Sequence, residues 1–517
     1  MKRLFVPVFT ALLLVAACQK SATTASISIE TSATTIPVEG GSCSVTVNWI
    51  NCHWRFREEG TSFLSNIFPL YSGAAGESGS TNVSFDISAN TSDSAREIIL
   101  SVKADDGSDA AAQISLTQAG KVEVLPDPAS VKLDASQKFQ TIDGWGCMNG
   151  WGVSDAFTDA EADILFGSLG LNIMRVRIDP DKDRWPAIAA NCKYAYDKYG
   201  VKILASPWSM PAYMKDNGSL NGNTNGVQSH LLPEYYEEYA LYLEEFAASM
   251  ASAGVPLHAI SVQNEPDWPA DYEGCLWTAD NHKDFLAQYG DIVKSALLVS
   301  GESLKTNHSF YEPALKDQAA CAALDIVGGH LYGASPASFS LVAEKGKRLW
   351  MTEHLLNESW DKGTSIWDET MEMAREMHLC MVNGWNAYIW WYGRRYYSLI
   401  GDGEKNTLKG TVLPRGQVFG HYSRFVKPGD TRIGATVSGD ILASAFTGDD
   451  GHLAVVVINP DERGISPVEV DLGVPAGSAK ACISAESSQN QPATFNADGN
   501  KIIFDTLPGK SIVTILR

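Results

Sequence analysis

Cations are scarce in this 517-residue chain: 40 Lys and Arg stand against 61 Asp and Glu, a formal charge of −21, and no run of five or six basic residues interrupts the acidity. A phosphate backbone requires such a patch, so nucleic acid is excluded as a partner. Cysteine is thin as well, nine residues scattered singly with no Cys-x-x-Cys and no clustered histidine, which removes the ligand spacing of a structural zinc site. Cys43 and Cys52 are close enough in sequence for a disulfide in an oxidising compartment, although spacing alone does not supply the geometry. Past the N-terminus no apolar run reaches the roughly 18 residues of a membrane helix. Neither Gly-x-Ser-x-Gly nor His-Glu-x-x-His occurs, so a serine-hydrolase elbow and a zinc-protease helix are also absent.

The one pronounced apolar run opens the chain. Lys2 and Arg3 precede Leu4 to Val15, and Ala16-Ala17 stand before Cys18. This is the pattern of a lipoprotein signal peptide over residues 1–17, with Cys18 as the lipidated residue. The expectation is a cell-envelope lipoprotein of the outer membrane, facing the surface or the periplasm and touching the membrane through its lipid alone.

Residues 24–120 are rich in Ser, Thr, Gly and Ala, with alternating runs at Ser44 to Ile50, Asn82 to Ser88, Glu97 to Ala104 and Ala112 to Gln118. Period-two runs between turn residues predict a β-sandwich. Residues 121–128 hold Pro126 and Pro128 and read as a stiff linker. Over 129–420 short apolar strands alternate with helical stretches, the pattern of parallel βα units. The candidate strands are Gln140 to Gly146, Ile173 to Ile178, Lys202 to Trp208, Ala259 to Pro266, Leu304 to Asn307, Asp325 to Gly333, Arg348 to His354 and Ala387 to Gly393. Eight of them predict a (β/α)8 barrel. Between the third and fourth, Pro233 opens a helix whose Tyr235, Tyr239, Tyr242, Phe246 and Met250 form an apolar stripe, ended by Gly254. Residues 421–517 return to alternating strands, a second β-sandwich to which Ser130 to Asp134 is expected to add one. The fold class is thus α/β, a TIM barrel fused to a C-terminal β-sandwich behind an N-terminal β-module.

Barrels carry their catalytic groups at the C-terminal ends of strands. Glu265, in Gln263-Asn264-Glu265-Pro266, and Glu353, in Trp350-Met351-Thr352-Glu353, both stand there, ending the fourth and seventh strands. Cleaving a glycosidic bond needs one carboxylic acid to protonate the leaving oxygen and one carboxylate to meet the anomeric carbon. Glu265, preceded by an Asn able to bind a substrate hydroxyl, suits the acid/base role, and Glu353 suits the nucleophile. The competing reading is two solvated carboxylates at strand ends. Trp145, Trp151, Trp208, Trp268, Trp277, Tyr332, Trp390, Trp391, Tyr396 and Tyr397 are expected around the mouth, where flat rings pack on sugar faces.

These residues carry a resemblance. Gln140-Thr141-Ile142-Asp143-Gly144-Trp145-Gly146, Ala205-Ser206-Pro207-Trp208, Gln263-Asn264-Glu265-Pro266, His330-Leu331-Tyr332-Gly333, Trp350-Met351-Thr352-Glu353 and Trp390-Trp391-Tyr392-Gly393-Arg394-Arg395 occur in that order. Together they resemble glycoside hydrolase family 30, in particular its glucuronoxylanases. The resemblance implies a retaining endo-β-1,4-xylanase without metal or organic cofactor, acting on a polysaccharide, with Glu265 as acid/base and Glu353 as nucleophile. It places Arg175 beside the nucleophile, where a guanidinium keeps Glu353 ionised. It also implies a pocket for a 4-O-methylglucuronate branch formed by Arg395, Tyr397, Trp391 and Ser359; the alternative for Arg395 is a pairing with a core carboxylate. Leu356 departs from the pattern, which has a tyrosine there, so dependence on the branch is expected to be weaker. Asn90 to Arg96 and Leu116 to Gly120 are similar to BACON modules, implying a spacer or a glycan contact. Rival readings are another family 30 activity, such as an arabinoxylan endo-enzyme, a xylobiose-releasing exo-enzyme or a β-1,6-glucanase, and a non-catalytic glycan-binding lipoprotein. Oligomeric state is left open.

Overall fold

The computed structural model describes residues 24–59, 63–121, 128–356 and 366–517. The leader with Cys18, linker residues 122–127 and Ser359 lie outside the described residues. The chain divides into two compact units, Met1–Val124 and Leu125–Arg517.

In the first unit the alternating sequence forms a seven-stranded sheet whose hub is the strand Gly41–Glu59. It pairs antiparallel with Ser26–Glu30, Tyr71–Ile87 and Arg96–Ala104. Every second residue points to a core that includes Val45, Val47, Val83, Phe85, Leu100 and Val102. Cys43 and Cys52 are free thiols. Both stand on the hub strand, nine positions and therefore about 30 Å apart along extended chain, so no disulfide joins them.

The second unit contains a closed parallel barrel. Its strands are β1 (Gly144–Met148), β2 (Ile173–Ile178), β3 (Lys202–Pro207), β4 (Ala259–Ser261), β5 (Leu297–Ser303), β6 (Ile326–His330), β7 (Arg348–Glu353) and β8 (Ala387–Trp390). Ile173, Leu204, Ala259, Val299, Ile326, Trp350 and Ala387, one from each of seven strands, plug its interior. The fifth strand is not Leu304 to Asn307. Ser300, Gly301 and Ser303 dilute the apolar signal of the true β5, while Asn307 caps the helix His308–Lys316, its side chain accepting from the Ser309 amide. The helix expected after Pro233 runs Tyr236–Ser252 behind a 3-10 turn, with Tyr239, Tyr242, Phe246 and Met250 buried along one stripe.

The strand Ala129–Thr141 precedes the barrel, which is why β1 begins at Gly144 rather than Gln140. It lies inside a ten-stranded sheet, antiparallel to Thr431–Ser438 and parallel to Val468–Asp471. Val455, Val457, Val468, Val470, Ile502 and Ile515 fill the core beneath that sheet. Among the described residues no helix is long and apolar enough to cross a membrane.

Candidate active site

Strand periodicity places the first functional side chain. Ile173 belongs to the barrel plug, and Arg175 two residues later points the same way, fully buried one layer nearer the C-terminal end of β2. On β5 and β7 the inward residues Val299 and Trp350 are followed three positions later by Glu302 and Glu353, an odd step that simple alternation would turn outward. Each strand carries one extra residue against β6, between Val299 and Glu302 and between Met351 and Glu353. Such bulges re-aim a side chain, and here they bring both carboxylates inward. Glu265 follows the short β4 with φ of 49°, a left-handed conformation that costs on the order of 1–3 kcal/mol for a residue with a Cβ. Its amide donates to the Glu302 carbonyl at 2.9 Å, tying the turn to β5.

The groups converge closely. Arg175 reaches Glu353 Oε2 through Nη1 at 2.5 Å, and Asn264 Oδ1 and Glu302 Oε2 through Nη2 at 2.7 and 3.0 Å. Tyr332 Oη donates to Glu353 Oε1 at 2.8 Å. Glu265 accepts from Tyr272 Oη and lies 3.2 Å from His330 Nδ1 through Oε1. Ligand-type atoms of Glu265, His330 and Glu353 all fall within 4.8 Å of one another. That spacing also suits a cation, but the cluster already contains the Arg175 guanidinium against Glu353 Oε2.

Burial and charge set the proton distribution. Glu302 is held down to about 2: burial opposes this, and Arg175 and His330 outweigh it. His330 is raised to about 9; burial lowers it, but the carboxylates of Glu353, Glu265 and Glu302 surround it. Burial would lift Glu265, yet its hydrogen bond and charge contact with His330 bring it below the usual range. Burial raises Glu353, helped by the charge of Glu265 and opposed by His330 and Arg175. Arg175 is therefore where the sequence reading put it, but its charge moderates the rise at Glu353 without cancelling it. The protonated form of His330 is thus favoured, 3.2 Å from Glu265 Oε1.

The carboxylates open into a cleft of about 640 Å³ lined by Trp208, Trp391, Trp151, Trp268, Tyr272 and Tyr332. Trp208 packs 5.0 Å from Trp151 and 5.7 Å from Trp391 between ring centroids, and the Arg175 guanidinium lies 4.8 Å from its ring. Trp145, Trp277 and Trp390 are not at the mouth. They are buried, Trp145 against Tyr422 at 5.1 Å, because the helices around the barrel need large apolar side chains on its outer surface. Arg395 and Tyr397 are half-buried beside Tyr392, a cleft residue over whose ring the Arg395 guanidinium sits at 4.3 Å. Arg395 is not free: its Nη2 pairs with Asp155 Oδ2 at 2.5 Å. Leu356 lines a neighbouring cavity with His354 and the far side of Tyr332. Sequence reasoning did not single out His330, Glu302, Tyr272 or Asp155. His330 was within reach, since it opens the His330-Leu331-Tyr332 motif on β6, whereas Glu302 sits in the strand that was misplaced.

Comparison with known proteins agrees with this geometry. Residues 171–373 match the glycosyl hydrolase family 30 TIM-barrel domain. The chain is 32% identical to glucuronoxylanase XynC of Bacillus subtilis (strain 168) over 408 residues, which cover 77% of this chain and 93% of that protein. It superposes on the family 30 subfamily 8 xylanase Xyn30A of Clostridium acetobutylicum with a TM-score of 0.67 and 30% identity, over 75% of this chain and 99% of the other. A family 30 endoxylanase of Clostridium papyrosolvens C71 gives a TM-score of 0.66 at 28% identity, with 75% and 99% covered. Likeness at this level over nearly the full length of these enzymes makes the chain a glycoside hydrolase and a member of glycosyl hydrolase family 30.

Proposed function

We propose that the protein is a retaining endo-β-1,4-xylanase acting on glucuronoxylan. The observation that carries the reading is the approach of one carboxylate oxygen of Glu265 to one of Glu353 within 4.8 Å. Retaining enzymes hold their carboxyl groups about 5–5.5 Å apart, whereas inverting enzymes leave roughly 6.5–9.5 Å for an intervening water. In the first step Glu353 attacks the anomeric carbon and the glycosidic C–O bond breaks. The departing oxygen takes its proton from Glu265, which receives it beforehand from His330 through the Nδ1 contact, stands ionised for the second step and at its end returns to His330 the proton taken from water. In the second step Glu265 accepts a proton from water, the hydroxyl oxygen bonds to the anomeric carbon, and the ester to Glu353 breaks. Asn264, fixed by Arg175, supports the substrate beside the acid/base. Trp208 and Trp391 offer an apolar floor for the sugar. The similarity to glucuronoxylanase XynC supports the backbone assignment, and attachment to the cell envelope through Cys18 is part of the same proposal.

The test is proton NMR of xylan hydrolysis in its first minutes. The new reducing ends should appear first as the β-anomer, and Glu353→Ala should lose at least about 10⁴-fold in rate. Initial formation of the α-anomer, or an unimpaired Glu353→Ala enzyme, would overturn the reading.

A further inference from the structure

Four charged side chains beside the cleft form a closed group. Arg394 pairs with Glu161 Oε2 at 2.5 Å and with Asp155 Oδ1 at 2.8 Å, and Arg395 pairs with Asp155 Oδ2 at 2.5 Å. Arg395 Nη1 also donates to the Arg394 carbonyl at 2.9 Å. Two guanidinium groups thus face two carboxylates, and the cluster is neutral before any ligand arrives. The buried half of it is Arg394 with Glu161, whose side chains are 9% and 5% exposed. The accessible half is Asp155 with Arg395, at 33% and 23%.

Building on the glucuronoxylanase reading, we propose that Asp155 is an internal competitor for the uronate branch, a carboxylate of the protein that occupies the Arg395 guanidinium and sets how strongly the enzyme depends on that branch. An entering uronate finds the cation of Arg395 already compensated. It must either displace Asp155, at the cost of the charge-assisted bonds to both arginines, or bind beside it as a second anion. Asp155 ends a short 3-10 turn, Val153–Asp155, whose last carbonyl accepts from Arg394 Nη2 at 2.9 Å, and its side chain is one-third exposed, so the displaced carboxylate can turn to solvent while the backbone stays in place. Together these features describe an enzyme whose pocket accepts the uronate without requiring it.

The experiment compares glucuronoxylan with the same polymer after its carboxyl groups have been reduced to neutral alcohols. The ratio of kcat/KM on the two polymers is the readout. Asp155→Asn leaves the cluster with one net positive charge and should raise the ratio by roughly 5- to 20-fold. Asp155→Ser should do the same, the double variant Asp155→Asn/Arg395→Ala should lose the gain, and added salt should shrink it. Calorimetric binding of methyl glucuronoside should tighten in Asp155→Asn by a similar factor, a measurement that does not depend on which polymer is cut. An unchanged ratio with unchanged binding overturns the proposal. A lowered ratio also overturns it and makes Asp155 a positioner of Arg395. Failure of the wild type to cut either polymer, with the binding gain intact, would remove the xylanase reading and leave the competition in place.

Discussion

At the scale of single residues the site is a problem of proton ownership. Three buried carboxylates, Glu265, Glu302 and Glu353, face one guanidinium and one imidazole, so with all three carboxylates ionised the group carries −2, and one proton added at the imidazole brings it to −1. His330 holds that proton up to about 9 because the carboxylates around it overcome its burial. Activity should fall as pH rises through that value, when the store feeding Glu265 empties. On the acid side it should fall as Glu353, lifted above the usual carboxylate range, becomes protonated and can no longer attack. His330→Gln removes both effects at once. Glu265 loses the cation that lowers it and becomes its own weaker store, so the alkaline limb of the kcat/KM profile moves down. Glu353 loses a cation too, so the acid limb moves up and the active window narrows from both sides. A profile for His330→Gln with its alkaline limb unmoved would show that the imidazole does not feed the acid.

Among elements, β6 matters beyond the residues it contributes directly. Its Gly328-Gly329 pair lets β5 and β7 press against it at their bulges. A Cβ on Gly329 would meet Thr306 Oγ1 at 2.2 Å, and that hydroxyl donates to the His330 carbonyl at 2.8 Å. Gly329→Ala is expected to cost about 1–3 kcal/mol in a thermal melt and to lower kcat more than it raises KM, since His330 follows on the same strand and Tyr332 stands just past its end. A melt and a kcat both unchanged would mean that Thr306 moves aside freely. This is also where legibility in the sequence ends. Glu265 and Glu353 could be read because each closes a short apolar strand with a local motif. Glu302 could not, because a bulged strand containing Ser300, Gly301 and Ser303 has neither unbroken hydrophobicity nor clean alternation. The large aromatics were over-assigned to the mouth for a related reason. A tryptophan on a barrel strand reads alike whether it faces substrate or a helix, and Trp145 and Trp390 face helices. The pairing of Arg395 with Asp155 joins residues 240 positions apart, and no local pattern announces it.

For the whole molecule, the eightfold alternation of strand and helix made the barrel legible, and the later strands foretold the sheet that accompanies it. The two compact units divide at Val124 and Leu125, and the internal cores are built separately. A protein beginning at Leu125 should unfold in one cooperative step, with a Tm within a few degrees of the second unit in the full chain, as read by calorimetry. A start at Ile142 removes Ala129–Thr141 and should leave no cooperative transition; if it still melts sharply, that strand is dispensable.

That strand has a consequence for the order of assembly. A chain emerges N-terminus first, and Ala129–Thr141 emerges before the barrel, while both of its hydrogen-bonding neighbours come after it. At ordinary elongation rates it waits a few tens of seconds with two open edges. Its own sequence supplies the safeguard, since Lys132, Asp134, Gln137 and Lys138 put charge and amide groups among Val131, Leu133 and Phe139. The segment is thus a latch left open until the last sixth of the protein arrives to close it.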